Sequence, residues 1–162
     1  MVTLDIVGEI GLDFLLAAVV SAGFAVLFSV PRRLLLACAL LGGLGHALRT
    51  ALMLLYELPL EWSTLIASLL IGFLALVLAR RLHAPAPVFA IAACIPLIPG
   101  ILAYTAMINF LRASTQVTAE AAQEYLSIAL LNFLKTTLVL SSIGIGVAAP
   151  SLLLIRRKPV QD

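Results

Sequence analysis

The chain has 162 residues, of which 63% are hydrophobic and 11% are charged, and its net charge is +2 at neutral pH. A soluble domain carries about 25% charged residues, so this composition excludes a protein that covers its own surface with polar groups in water. Inside a bilayer only helices and closed barrels pair every backbone group. The apolar runs are about twenty residues long and do not alternate with a period of two, which predicts helices.

Five apolar runs are long enough to cross the bilayer. They predict an all-α, polytopic membrane helix bundle with five transmembrane helices, in a single membrane domain over residues 1–162. A count of four is the alternative, obtained by omitting the second run because it contains His46 and Arg49. The predicted spans cover about residues 12–30, 34–56, 63–79, 87–111 and 125–155.

The basic residues predict the direction of the crossings. Five spans put the loops after spans one, three and five on the same side, and these loops hold nearly all the Lys and Arg near span ends. The opposite side holds Arg112 and most of the acidic residues. Because Lys and Arg collect on the cytoplasmic face, we predict an external N-terminus and an internal C-terminus. The residues behind this prediction are Arg32, Arg33, Arg80, Arg81, Arg156, Arg157 and Lys158.

Three basic side chains lie inside predicted spans: His46 and Arg49 in the second, and Lys135 in the fifth. A charge at the bilayer centre costs about 2.5–3.5 kcal/mol, so each needs a partner or a function. No carboxylate lies comparably deep in the predicted spans, and this bias favours a pathway for an anion. Each residue also has a structural alternative. Arg49 could extend outward and pair with Asp13, and His46 could bond a carbonyl of a neighbouring helix. Lys135 could pair with another subunit or reach the outer interface.

The fourth span is interrupted in its middle by the segment Ile95-Pro-Leu-Ile-Pro-Gly100. Each proline removes an N–H donor and clashes with the preceding turn, and glycine tolerates non-helical dihedrals. The half-helix after such a break points its free N–H groups at an anionic ligand in many transporters. The alternative is a kink that only shapes packing. The candidate substrate-binding residues of this span are Pro96, Pro99, Gly100, Ile101 and Tyr104, in addition to His46, Arg49 and Lys135.

The remaining motifs give less information about function. The glycines of the run Gly42-Gly-Leu-Gly45 precede His46 and predict the close approach of another helix. Cys38 and Cys94 lie inside apolar runs and are too few and too isolated for a zinc site or a disulfide framework. No nucleotide-binding, zinc-protease or nucleophile-elbow motif occurs. We therefore expect no enzymatic activity, no cofactor and no bound nucleic acid.

Taken together, these segments resemble the threonine/serine exporter (ThrE) family, and most closely its small YjjB-type subunits of succinate exporters. The resemblance runs from about Asp13 to Arg157. It implies a bacterial inner-membrane protein that forms a hetero-oligomer with a larger YjjP-type membrane subunit. The segments that carry it are Pro31-Arg-Arg33, Gly42 to Arg49, Glu61-Trp-Ser-Thr64, Ile95 to Gly100 and Ala103 to Ile108.

The resemblance implies export of a small carboxylate, with succinate as the leading expectation because two carboxylates suit the basic side chains. Threonine or serine export is the alternative, although an ammonium group needs an acceptor that the predicted spans do not supply. A further alternative is an accessory or assembly subunit without a substrate pathway. Lys135 is not part of the family's pattern. If each half has five spans, an odd number, fusing the two halves in one chain forces them into opposite orientations, which is the inverted-repeat design. His46 suits coupling of transport to protons.

Overall fold

The computed structural model describes the backbone of residues 2–154 and the side chains from Ile6 onward, and over these residues it contains helices and no strands. The predicted all-α membrane bundle is confirmed. The elements are α1 (Val2–Leu27), α2 (Arg32–Tyr56), α3 (Leu60–Leu82), α4 (Ala86–Cys94), a 3₁₀ helix (Ile95–Leu97), α5 (Gly100–Ser114) and α6 (Ala119–Leu154).

Helices α1, α2, α3 and α6 are each long and apolar enough to cross a bilayer, and α4 with α5 makes a fifth span if the pair is taken as one. The alternative of four spans had left out the second run. That run is instead a single helix of 25 residues that meets the criteria for a span by itself. The count of four or five spans therefore depends on the broken fourth run and not on the second.

Two helices begin well before their predicted spans. Helix α1 starts at Val2 rather than near residue 12, and α6 starts at Ala119 rather than near residue 125. Hydropathy marks the part of a helix that suits the bilayer, whereas the helical backbone continues through acidic residues that tolerate it. The extension of α1 matters for the site, because it places Asp13 well inside the helix, whereas the predicted span put this residue at its edge.

The chain divides into two compact units. The first contains everything up to Leu97 together with α6 from Ser142, and the second is Ile98–Ser141. In the first unit, α2 packs against α1, α3 and α4. Many core side chains are small, which lets membrane helices approach closely. The core residues are Ala25, Leu34, Cys38, Leu41, Ala67, Ile71, Ala75, Phe89, Ala90, Ala92, Ala93, Cys94 and Leu97.

Glycines set two close helix contacts in the first unit. A Cβ on Gly43 of α2 would lie 2.8 Å from the carbonyl oxygen of Phe14 in α1. A Cβ on Gly146 of α6 would lie 2.9 Å from the backbone nitrogen of Leu69 in α3. Both distances are shorter than ordinary van der Waals contact, so only glycine permits these approaches. The close helix approach predicted for the glycine run of α2 is confirmed.

The first two arginine pairs lie at the same end of the first unit. Arg33 near the start of α2 and Arg81 near the end of α3 line one groove between these two antiparallel helices. This arrangement agrees with the five-span topology, which requires both pairs on one side. The third basic cluster, at residues 156–158, falls outside the described part of the chain. The assignment of this side to the cytoplasm stays a prediction.

Candidate functional site

The break predicted in the fourth span is confirmed. Helix α4 ends at Cys94, Pro96 lies in the 3₁₀ helix, and Pro99 caps the start of α5. The N–H of Gly100 donates to the carbonyl of Ile98 at 2.9 Å. Gly100 therefore does not offer the free donor that the sequence predicted for it. The N–H groups of the next residues, Ile101 and Leu102, have no intrahelical acceptor because they belong to the first turn of α5.

Arg49 of α2 reaches the last residue of the 3₁₀ helix. Its Nη1 donates a hydrogen bond of 2.9 Å to the carbonyl oxygen of Leu97. The Leu97 side chain is fully buried, and a buried backbone carbonyl requires a donor. Because the helix stops here, the donor comes from a side chain of another helix. Arg49 of the second span and the helix break of the fourth span are therefore parts of one site.

His46 lies one turn before Arg49 on the same face of α2. Its Nε2 is 2.6 Å from Nη2 of Arg49. A guanidinium stays protonated and can only donate, so Nε2 is the acceptor. We assign the ring proton of the neutral imidazole to Nδ1 from this geometry. The sequence alternative in which His46 bonds a neighbouring carbonyl is wrong, because Arg49 makes that contact instead.

Asp13 of α1 faces the other side of the imidazole. Its Oδ2 accepts a hydrogen bond of 2.5 Å from the hydroxyl of Thr50. The same oxygen lies 3.4 Å from Nδ1 of His46, close enough for an ion pair but not aligned as a hydrogen bond. Asp13 is within the membrane-length part of α1. The sequence expectation that no carboxylate lies comparably deep is therefore wrong, because the first span begins earlier than its apolar run.

We call Asp13, His46, Arg49, Thr50 and the carbonyl of Leu97 the polar cluster. Asp13 is eleven residues from the start of α1 at Val2, and Arg49 is seven residues from the end of α2 at Tyr56. At helical rise these positions are about 16 Å and about 10 Å inside their helix ends. Asp13 bonds Thr50 and lies beside His46, so α1 and α2 meet at the cluster.

The charges of the cluster are not paired directly. Arg49 contacts a neutral ring and a carbonyl, and among the side chains that the structure describes no carboxylate lies within ion-pair distance of its guanidinium. The alternative in which Arg49 pairs with Asp13 is wrong, because His46 lies between them. The side chains of His46 and Asp13 are 19% and 35% exposed. The Arg49 cation is half-buried and the Asp13 carboxylate is partly exposed, and one imidazole separates them.

The second unit holds the remaining predicted site residues. Ile101 is 82% exposed and Tyr104 is 66% exposed on α5, and Lys135 is exposed on α6. Lys135 forms no ion pair with any carboxylate among the described side chains. Thr50 is a cluster member that the sequence did not predict. The sequence did contain an indication of its position, because Thr50 follows His46 by four residues and such a spacing places both side chains on one helix face.

Membrane-length helices with a polar cluster at a broken span define a multi-pass membrane protein with an internal polar site. The family model described as "Threonine/Serine exporter, ThrE" matches residues 13–153. The chain belongs to this family, and the family resemblance predicted from its motifs is confirmed. It is a membrane transport protein of the threonine/serine exporter type, in a family of transporters rather than enzymes. No solved structure matches the chain.

Proposed function

We propose that this chain is one membrane half of an exporter for small carboxylates and that Arg49 binds the carboxylate of the substrate. The observation that carries the proposal is the environment of the guanidinium. It lies inside a membrane-length helix, where an unneutralised charge is costly. Its described partners are a neutral imidazole and a carbonyl. Five N–H donors in a planar fork suit a carboxylate, which brings the missing negative charge.

The polar cluster favours an α-amino acid as the substrate. An amino acid presents one carboxylate and one ammonium group. Arg49 suits the first, and Asp13 provides the acceptor for the second that the predicted spans lacked. The side chain of Asp13 is 35% exposed and accepts one hydrogen bond from Thr50, so it has capacity for another donor. Threonine and serine, the substrates in the family's description, both match this pair of charges.

Succinate is the second candidate. When protonated, His46 carries a positive charge beside Arg49, and two cations suit a dicarboxylate. Protonation also removes the acceptor at Nε2 and so releases one arm of the guanidinium. The resemblance to small YjjB-type subunits supports the same substrate. The pair Arg49 and His46 thus favours succinate, whereas the pair Arg49 and Asp13 favours an amino acid.

We further propose that the chain works with a larger YjjP-type subunit in the bacterial inner membrane. Fusing two halves that each have an odd number of spans forces them into opposite orientations, and in such inverted pairs the substrate binds between the broken helices. We expect the two separate subunits to keep this arrangement. Cysteine labelling in intact cells tests the five-span topology in this chain. A residue near the N-terminus should react with an impermeant reagent from outside, and one near the C-terminus should not. Labelling of both from one side overturns the inverted-half proposal.

Export from cells that lack this chain tests the function. We expect cells that regain the chain and its partner to export labelled threonine, serine or succinate, and Arg49→Gln to abolish export while both subunits still co-purify. Arg112→Gln is the matched control, because it removes the same charge at the end of α5. Loss of co-purification with Arg49→Gln supports the accessory-subunit alternative instead. Unchanged efflux of all three substrates without the chain contradicts the proposal.

A further inference from the structure

A groove of about 450 Å³ runs between α2 and α3, apart from the polar cluster. Leu36, Leu40 and Leu44 recur one turn apart on α2 and are 69%, 45% and 47% exposed. Helix α3 contributes Leu74, Val77 and Leu78 to the opposite wall. Arg33 and Arg81 lie at one end. The groove is therefore apolar along its length and basic at a single end.

The length of this groove matches one leaflet of a bilayer. Leu44 is eleven residues from Arg33 along α2, which is about 16 Å at helical rise. Half of a typical hydrocarbon core is about 15 Å. A chain that lies along the leucines with its polar end at the arginines therefore spans one leaflet. That is the geometry of a phospholipid beside a transmembrane helix.

One arginine of each pair lines the basic end of the groove. Arg33 and Arg81 line it, whereas their neighbours Arg32 and Arg80 do not. Neither Arg33 nor Arg81 forms an ion pair with a carboxylate among the described side chains. Two guanidiniums from different helices therefore lie at this end of the groove without a carboxylate partner among the described side chains. Guanidinium forks recognise phosphate through two parallel hydrogen bonds.

We propose that this groove binds an anionic phospholipid, with the phosphate between Arg33 and Arg81 and an acyl chain along the leucines of α2. Basic pockets between transmembrane helices bind such headgroups. A second copy of this chain in the same orientation fits less well. A two-fold contact through the groove would place the arginines of both copies at one depth, where like charges repel.

Native mass spectrometry of the full-length chain in detergent tests the proposal. Cardiolipin and phosphatidylglycerol are the anionic probes, and phosphatidylethanolamine is the zwitterionic one. We expect retained anionic lipid, and about 30-fold weaker binding for Arg33→Gln/Arg81→Gln, because each arginine near the surface contributes about 1 kcal/mol. The matched control, Arg32→Gln/Arg80→Gln, removes the same charge from the same helix ends and should change binding by less than about twofold.

A second variant tests the apolar wall without touching the charges. Leu40→Trp fills the groove and should also weaken retention of the anionic lipids, while the unfolding temperature in detergent stays close to that of the parent protein. Equal losses in the two arginine double variants overturn the proposal, since they indicate diffuse attraction to basic helix ends. Equal retention of phosphatidylethanolamine overturns it too. So does a dimer that Leu40→Trp dissociates, because the groove is then a contact between copies.

Discussion

Arg49 of α2 donates a hydrogen bond of 2.9 Å to the carbonyl oxygen of Leu97, a residue 48 positions later in the chain. This contact joins a basic residue in the interior of the second span to the interruption of the fourth. It explains how a free carbonyl and an arginine are both accommodated among apolar helices, since each satisfies the other. It also means that a ligand bound to Arg49 acts directly on the end of the 3₁₀ helix.

The guanidinium fork is predicted to be essential, and charge alone is not sufficient. In Arg49→Lys, one ammonium cannot contact the His46 ring, the Leu97 carbonyl and a carboxylate together. A hydrogen bond to a charged group contributes about 1.5–3 kcal/mol, so we expect export to fall by about tenfold or more in efflux assays. Arg112→Lys should export normally. Full export by Arg49→Lys would show that a point charge is enough.

The carboxylate of Asp13 is predicted to separate the two substrate classes. Asp13→Asn keeps the size of the side chain but removes the negative charge that suits an ammonium group. We expect reduced export of threonine and serine and unchanged or increased export of succinate, measured in the same cells. Glu9→Gln, one turn earlier on the exposed face of α1, is the control. A parallel loss of all three substrates would assign Asp13 to structure and remove the argument for an amino acid.

Carboxylate binding is predicted to depend on His46 protonation. As the pH falls through the titration of the imidazole, Nε2 gains a proton and can no longer accept from Arg49, so one arm of the guanidinium becomes free. Binding of a labelled carboxylate by the purified complex should therefore strengthen towards low pH. The charged groups that face the imidazole are Asp13 and Arg49.

His46→Gln provides the comparison, because glutamine keeps an acceptor but does not titrate. Its binding profile should be flat between about pH 5 and 8. His83 is the other of the two histidines and is exposed after α3, so His83→Gln should retain the slope of the parent protein. A slope that survives in His46→Gln would locate the titrating group elsewhere.

Two glycines of α6 are predicted to differ in what they tolerate. A Cβ at Gly146 meets the backbone of Leu69 at 2.9 Å, whereas one at Gly144 meets nothing within 4 Å. We expect Gly146→Ala to lower the free energy of unfolding by about 1–3 kcal/mol through overpacking. Gly144→Ala should be neutral or stabilising, since alanine favours the helix. Thermal unfolding in detergent measures both, and equal effects would contradict the close contact of α3 and α6.

Local properties of the sequence were enough to predict much of the fold. Hydropathy reports on each segment separately, so five apolar runs predicted the membrane-length helices. Pro96, Pro99 and Gly100 disfavour helix in any context, so they predicted the break. The same locality produced the errors. The acidic residues near the N-terminus interrupted the apolar run, and the predicted first span therefore placed Asp13 at its edge rather than well inside the helix.

The class of protein, the apolar runs long enough for a membrane and the interruption of the fourth span were determined by the sequence alone, because each depends on neighbouring residues. The polar cluster was decided only by the tertiary structure. Asp13 faces His46 because Gly43 lets α2 approach the backbone of α1 at Phe14, and this fixes the register of two antiparallel helices. The contact between Asp13 and His46 follows from that register. The register depends on two helices together, so the sequence of either segment alone does not determine it.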